Sequence, residues 1–364
     1  MILKELCNCL EQWAPLAYQE SYDNCGLIVG DRSVELTGVL VSLDCVESVV
    51  DEAIEKGCNA IVSHHPIVFK GLKSFTGKNY VERTVLKAIK NDIAIYAIHT
   101  NLDNVHTGVN KMLADKIGLI NTKVLVPKKD VIKQLITYVP SENAETIREA
   151  LYSVGAGSFG EYSECSFTVS GKGTFKGSQN SNPVIGEKGI RKVVEEERIE
   201  IIFPSYMSSM VISALKKAHP YEEVAYSVLN IANANQNVGS GMIGELSEGQ
   251  NSLDFLHGLK NSLNADGIRY TNLNAKKIEK VAICGGSGSF LLQAAIRSGA
   301  DAFVTGDFKY HEFFDAENKI IIADVGHYES EQYTKDLIAD FLSEKFPKFA
   351  VHLSEVNTNP INYL

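Results

Sequence analysis

Two histidines in succession, His64 and His65, are the first residues whose type and position indicate chemistry. They follow the apolar run at residues 60–62, which is typical of the end of a buried strand, and Pro66 stops its continuation. The backbone can turn where a strand ends, so both rings can converge on one place. Neutral imidazole is a common ligand of divalent transition metals. The alternative is a solvated strand end whose histidines have no role.

His99 and Asp103 form a second pair of this kind, directly after the apolar run at residues 93–98. A carboxylate is a suitable ligand for the same ions. The alternative role for Asp103 is to cap the helix expected at residues 109–117.

Two further pairs have the i, i+4 spacing that places both side chains on one face of a helix. His327 and Glu331 begin a long helix after the strand at residues 320–324, and two ligands at this spacing can hold a single ion. Asp307 and His311 have the same spacing in the helix expected before that strand.

Mixed histidine and carboxylate ligands without cysteine suit Zn, Fe, Mn, Co or Ni rather than Ca or Mg. Five candidate ligands exceed the needs of one tetrahedral ion, so the sequence predicts two divalent transition-metal ions per chain. Such a pair of ions activates water, and the expected reaction is hydrolysis at a phosphoryl group or at an acyl or amidine-like carbon. The candidate ligands are His64, His65, Asp103, His327 and Glu331, and the candidate catalytic acid-base groups are His99, Asp307 and His311.

Three other features have a role that the sequence leaves open. Asp23 and Asn24 either cap a turn or line a pocket. The glycine-rich turn at residues 285–289 either cradles phosphate on free N–H groups or is only a tight turn, since it lacks the Walker lysine and the Rossmann spacing. Lys73 and Lys309 lie close in sequence to the metal motifs, and we expect them to reach the cavity and offset a polyanionic substrate.

The elements that must position these residues indicate an α/β fold. Strands alternate with helices in residues 1–127 and 237–364, which predicts βαβ units and a mainly parallel sheet. Residues 128–236 have the order strand-helix-strand twice, which predicts an inserted ferredoxin-like α+β domain with a long exposed loop at 171–189. In open α/β sheets, ligands bind outside the carboxyl ends of the strands, where the motifs lie.

Composition and charge limit the classes of function. The formal net charge of -10 argues against general binding to nucleic acid or to an anionic membrane surface. The cysteines lack Cys-x-x-Cys spacing, so we expect reduced thiols and a cytoplasmic location. No apolar stretch approaches the length of a membrane span.

Taken together, the motifs resemble those of the Nif-three-like proteins, which are also catalogued as GTP cyclohydrolase I type 2 homologues. The resemblance covers both outer segments and implies a two-lobed core, with metal ligands at the five candidate positions and Glu331 as a bridging carboxylate. It also implies a homohexameric toroid with metal sites facing an internal cavity, and an insert similar to PII and CutA domains. The motifs are Asp23-Asn24-x-Gly26-Leu27, Ser63-His64-His65-Pro66, His99-Thr100-Asn101-Leu102-Asp103, Thr305-Gly306-Asp307 and Gly326-His327-x3-Glu331.

Two functions are therefore expected. The first is a two-metal hydrolase that acts on GTP, as the family's name implies, or on another nucleotide or phosphorylated heterocycle. The second is a metal-binding hexameric scaffold or regulator whose insert senses a small molecule. The expected partners are further copies of the chain and a small molecule, with neither membrane nor nucleic acid.

Overall fold

The computed structural model describes residues 1–273 and 277–364. The chain divides into two compact units. Met1–Val126 together with Asn237–Leu364 is called the core unit here, and Pro127–Gln236 is called the insert. None of the helices in the described ranges is long and apolar enough to cross a membrane.

Helices and strands alternate along most of the chain. The helices are α1 Leu3–Trp13, α2 Glu47–Glu55, α3 Tyr80–Lys90, α4 Thr100–Asp103, α5 Val109–Lys116, α6 Ala144–Ser153, α7 Ser208–Ala218, α8 Ser252–Ser262, α9 Leu292–Arg297, α10 His327–Glu331 and α11 Thr334–Lys345. The strands are β1 Gly26–Val29, β2 Val39–Ser42, β3 Ala60–Ser63, β4 Ala94–Ala97, β5 Leu119–Lys128, β6 Ile132–Pro140, β7 Ser166–Lys176, β8 Arg191–Pro204, β9 Tyr226–Asn230, β10 Asn235–Gln250, β11 Arg269–Tyr270, β12 Ile278–Ser287, β13 Ala302–Gly306, β14 Ile321–Asp324 and β15 Val351–Leu353.

The first sheet of the core unit has the strand order β1-β4-β3-β2-β15. Strands β15, β2, β3 and β4 are parallel, whereas β1 runs antiparallel to β4. Every residue of β2, β3 and β4 is buried, as is typical of short apolar strands covered by helices. Their carboxyl ends therefore meet at one edge of the sheet.

The second sheet of the core unit has the order β11-β14-β13-β12-β10-β5. Strands β12, β13 and β14 are parallel, and β10 and β11 are antiparallel to their neighbours β12 and β14. Apolar side chains of β12–β14 pack into the core on both faces of this sheet. The α/β class is confirmed, with mixed sheets whose central strands are parallel.

The insert contains one sheet with the order β7-β8-β6-β9, in which all neighbours are antiparallel. Counted within the insert, this is the order 2-3-1-4 that a split βαβ arrangement produces. Helices α6 and α7 contribute Ile147 and Leu215 to a core that also contains Leu135, Ile199 and Phe203. The insert thus has a hydrophobic core of its own.

Three local expectations are wrong. The exposed loop expected at 171–189 begins later, because β7 continues to Lys176 and pairs there with Arg191 of β8. The long helix expected from His327 is interrupted between α10 and α11. No helix joins Asp307 to His311, because Asp307 has a left-handed φ of 60° and a short 3₁₀ helix begins only at Tyr310.

Candidate metal centre

The five predicted ligand residues lie together in the core unit. His64 and His65 directly follow β3, and Asp103 ends α4, which follows β4. His327 and Glu331 are the first and last residues of α10, which follows β14. The site therefore forms where the carboxyl ends of parallel strands from both core sheets face each other. Glu331 is only 2% exposed and His64 is fully buried.

The ligand atoms form two groups of three, and Glu331 belongs to both. In the first group, the Asp103 triad, His64 Nε2 lies 3.6 Å from Asp103 Oδ1 and 3.8 Å from Glu331 Oε1. In the second group, the His327 triad, Glu331 Oε2 lies 2.9 Å from His65 Nε2 and 3.1 Å from His327 Nε2. Each oxygen of one carboxylate thus faces a different triad, which is the arrangement of a carboxylate that can bridge two ions.

The Nε2 atoms of the three histidines belong to the triads, and hydrogen bonds at their Nδ1 atoms orient the rings. Each donates its Nδ1–H to an oxygen acceptor, which directs Nε2 towards the triad and fixes the tautomer that a metal ligand needs. The pairs are His64 with the Ile98 carbonyl at 2.8 Å, His65 with Asp44 Oδ1 at 2.8 Å, and His327 with Asp307 Oδ2 at 2.6 Å.

The pKa values of the two carboxyl groups of the triads shift in opposite directions. Burial and then the charge of Glu331 raise the pKa of Asp103 well above its ordinary value. Burial also acts to raise the pKa of Glu331, but the charge and hydrogen bond of His327 lower it well below its ordinary value. Burial opposes protonation of His327, yet Glu331 and Asp307 raise its pKa to about 11. Glu331 is therefore ionised and held by protonated partners that an ion could replace.

The pKa values of His64 and His65, the two histidines that follow β3, also shift in opposite directions. Burial lowers the pKa of His64 to about 4, so its imidazole is neutral, as metal binding requires. Burial also opposes protonation of His65, but hydrogen bonds to Asp44 and Glu331 raise its pKa to about 9. The two rings thus carry different charges although they are adjacent in sequence.

Two buried ligand atoms test whether a metal ion fits. Among the described residues, His64 Nε2 and Asp103 Oδ1 are buried and make no hydrogen bond. Buried polar atoms without a partner are costly and rare in folded proteins. An ion between these atoms and Glu331 Oε1 would satisfy all three. Because the donors are imidazole nitrogens and carboxylate oxygens, the residues present fit a divalent transition metal.

The glycine-rich turn after Cys284 makes room for the Glu331 carboxylate. Gly286 has a φ of 61°, and a Cβ at this position would lie 2.4 Å from Glu331 Oε1. The N–H groups of Gly285 and Gly286 donate to Asn110 Oδ1 and Ser330 Oγ. These two N–H groups have protein acceptors and are not free to cradle phosphate, which favours the tight-turn interpretation.

A cavity of about 480 Å³ opens beside the cluster, and His99 lines it. The His99 ring lies 5.2 Å from the His64 ring, and its Nδ1–H donates to Asp23 Oδ1 at 2.9 Å. Burial acts to raise the pKa of Asp23, but the hydrogen bond from His99 lowers it far below its usual range. Of the three predicted acid-base groups, His99 is the one that the structure places at both the cluster and the cavity.

The other two predicted acid-base groups have different places. Asp307 accepts the hydrogen bond from His327 Nδ1, so it orients a ligand rather than lining the cavity. His311 is exposed, and its ring contacts Tyr310 and Phe314. The structure does not bring His311 to the cluster, because the left-handed backbone at Asp307 breaks the helix that would have aligned the two residues.

Sequence reasoning missed Asp44, the partner of His65. Asp44 follows the buried strand β2, just as His64 follows β3 and His99 follows β4. A polar residue directly after a buried parallel strand was therefore the signal that could have found it. Asp103 does not cap α5, since the N-cap residue of that helix is Gly108.

The fold and the site together define an α/β protein with a buried cluster of histidines and carboxylates suited to transition-metal ions. The chain belongs to the DUF34/NIF3 family, because the family model described as Duf34/NIF3 (NGG1p interacting factor 3) matches residues 1–360. The resemblance inferred from the motifs is therefore confirmed.

Relatives and solved structures agree with this assignment. A Bacillus subtilis protein named GTP cyclohydrolase 1 type 2 homolog is 39% identical over 367 residues, covering 99% of this chain and 98% of that protein. A Staphylococcus aureus protein of the same name is 36% identical and is covered completely, as is this chain. The crystal structure of a Bacillus cereus protein related to NIF3 has a TM-score of 0.87 and 38% identity, covering 100% of this chain and 99% of that one.

Proposed function

We propose that this protein is a metal-dependent hydrolase that uses two divalent transition-metal ions, of Zn, Fe, Mn, Co or Ni. One observation carries the proposal. The two oxygens of Glu331 face two different pairs of ligand atoms beside a cavity of about 480 Å³. The size of this cavity lies in the range of small-molecule sites.

Different residues would bind the ions and transfer the proton. The Asp103 triad would hold one ion, the His327 triad the other, and Glu331 would bridge them. Bound there, the ions would supply Lewis-acid polarisation of the substrate and a lowered pKa for a water molecule. His99 would transfer a proton between that water and the leaving atom, because its ring lies at the cavity and Asp23 fixes its tautomer.

The proposed substrate is a nucleotide or a related phosphorylated heterocycle. GTP is the first candidate, since relatives are named GTP cyclohydrolase 1 type 2 homolog. Hydrolysis would break one bond of the substrate, with the oxygen of water bonding to the electrophilic carbon or phosphorus and a proton going to the departing atom. We also propose that the chain assembles into the homohexameric toroid that the sequence resemblance implies.

A second candidate function is a metal-binding regulator in which a PII- or CutA-like insert senses a small molecule. One observation favours it. The insert has a cavity of about 480 Å³ beside the loop at residues 177–190, lined by Phe175 and Tyr221 among others. The hydroxyl of Tyr221 donates to Glu196 in the wall of this cavity. Neither Tyr221 nor Glu196 belongs to the insert's hydrophobic core.

The test compares three preparations on GTP, other nucleotides and phosphoesters: metal-loaded protein, chelated protein, and metal-loaded Asp103→Ala. Hydrolysis by the first preparation alone is the expected result. Equal rates in all three would mean a contaminating enzyme. No turnover of any substrate, with both ions bound, would favour the regulator.

A further inference from the structure

Tyr22 and Phe69 are two of the exposed aromatic side chains that line the cavity. Tyr22 is 63% exposed and Phe69 is 45% exposed, and both line the cavity. Their ring centroids lie 6.1 Å apart at an angle of 42°. Exposed aromatic side chains that line a cavity together with polar groups are a common feature of ligand-binding sites.

Hydrogen bonds order the two segments that carry these rings. Tyr22, Asp23 and Asn24 are consecutive, and Asp23 is hydrogen-bonded to His99. The Nδ2 of Asn24 donates to the carbonyl of Val68 at 2.7 Å, next to Phe69. The turn that carries one ring is therefore tied both to the cluster and to the loop that carries the other ring. Such prior ordering lowers the entropy lost when a ligand binds.

Phe69 also lies close to the reacting end of the cavity. Its ring centroid is 6.3 Å from that of His99, and the planes are nearly perpendicular at 70°. Phe69 thus lies next to the group to which we assign proton transfer.

The charge of the cavity wall is the second line of evidence. The described residues that line the cavity include four carboxylates and three histidines but neither lysine nor arginine. Lys73 and Lys309, which were expected to reach the cavity, do not line it. Apart from the histidines of the cluster, this wall offers a polyphosphate no cationic side chain, whereas Tyr22 and Phe69 offer exposed aromatic surface to a flat ring. The carboxylates are Glu20, Asp44, Asp103 and Glu331.

We propose that Tyr22 and Phe69 form a stacking platform for a planar nitrogen heterocycle, and that the site recognises its substrate through this ring. The proposal rests on the proposed function, because it takes this cavity to be the substrate site. Nucleobase rings stack on exposed aromatic side chains without dependence on sequence or charge, which suits this wall. A purine nucleoside with no phosphate is the simplest ligand of this class.

The test measures equilibrium binding of guanosine and of inorganic tripolyphosphate to metal-loaded protein. Phe69→Leu keeps a similar apolar volume but removes the ring, so guanosine binding should weaken roughly tenfold. Binding of tripolyphosphate should not change. Phe69→Trp should restore guanosine binding and report it as quenched fluorescence, since the only natural tryptophan, Trp13, stacks on Phe341 instead.

Phe75→Leu is the matched control. Phe75 is 54% exposed and lies in the same segment, but it does not line the cavity. Its replacement should leave guanosine binding unchanged. The proposal is overturned if guanosine does not bind to the native chain, or if Phe69→Leu binds it as well as the native chain does. It is also overturned if Phe69→Leu changes the oligomeric state instead, since the rings would then cover an interface between copies.

Turnover separates this proposal from the proposed function. If the protein hydrolyses a nucleotide, Phe69→Leu should raise KM about tenfold and leave kcat nearly unchanged. Turnover with an unchanged KM would overturn the stacking platform and leave the hydrolase standing. Ring-dependent binding of guanosine without turnover of any substrate would support the platform and remove the hydrolase.

Discussion

Replacing Asp44 by asparagine should weaken metal binding at the His327 triad and leave the Asp103 triad intact. Asp44 accepts the Nδ1–H of His65, whose Nε2 points at Glu331 Oε2. His64, in the other triad, donates its Nδ1–H to the backbone carbonyl of Ile98 instead. The two positions therefore depend on different supporting groups.

The structure sets the size of the effect. Asparagine can still accept the His65 hydrogen bond through its Oδ1, while its amide group faces Thr358, whose hydroxyl now donates to Asp44 Oδ2. The substitution thus removes a negative charge but keeps the orientation of the ring. Supporting groups of metal-binding histidines are worth about 10–100-fold in affinity, and we expect the lower end, about tenfold or 1.4 kcal/mol. Asp44→Ala removes the acceptor as well, so about 100-fold is expected.

Competitive titration of the metal-free protein with Zn or Mn against a chelating indicator measures both steps. Native protein should bind two equivalents, and Asp44→Asn should weaken only one of them. Asp51→Asn is the control, because Asp51 is half exposed and pairs with Lys87, and neither residue belongs to the triads or lines the cavity. An equal loss at both steps, or no loss at either, would refute the division into two triads.

Three further predictions concern Gly286 beside Glu331, the buried carboxylate of Glu82, and the insert. Gly286→Ala should lower both metal content and the free energy of unfolding, the latter by about 1–3 kcal/mol, because a side chain there is strained and meets Glu331; elemental analysis and urea unfolding measure the two effects. Glu82→Gln should destabilise the protein at pH 7 and abolish part of its acid sensitivity. Hydrogen bonds from Thr76 lower the pKa of Glu82 from 4.5 to about 2, so its stabilisation is complete above pH 4.5 and disappears as the pH falls towards 2, as thermal melts across that range should show. Residues 127–236 expressed alone should unfold cooperatively in a thermal melt, since they contain their own core.

Each of these predictions has a contrasting result. Gly299→Ala is the control for the first, because Gly299 also has a positive φ but nothing lies within 4 Å of the added Cβ. Equal loss of metal in both variants would mean that backbone strain alone is responsible. If Glu82→Gln loses stability between pH 4.5 and 2 as steeply as the native protein does, Glu82 does not contribute to the acid sensitivity. A non-cooperative melt of 127–236 would mean that its core depends on the rest of the chain.

Much of the site could be predicted because it is encoded locally. His64, His65 and His99 directly follow short apolar strands, and parallel strands bring their carboxyl ends to one edge. His327 and Glu331 were paired correctly, because one turn of helix is enough to align them. These inferences needed only a strand end or a helical turn, which a short stretch of sequence can reveal.

The rest depends on contacts between distant residues. The expected alignment of Asp307 with His311 is wrong, because an i, i+4 spacing has meaning only in a helix and the left-handed residue at 307 prevents one. The link between Asp23 and His99 joins positions 76 apart, which no local pattern reports. Gly171–Lys176 has the composition of a loop, but pairing with β8 makes it a strand.

The most direct test of the account is the number of metal ions bound by native protein and by Glu331→Gln after reloading with Zn, Mn or Fe. Glutamine fills the same space but has only one oxygen, so it can serve one triad at most. Elemental analysis should find two ions per chain in the native protein and one or fewer in the variant, with unchanged circular dichroism. One ion or fewer in the native protein at saturation, or two in Glu331→Gln, would contradict a carboxylate that bridges two ions.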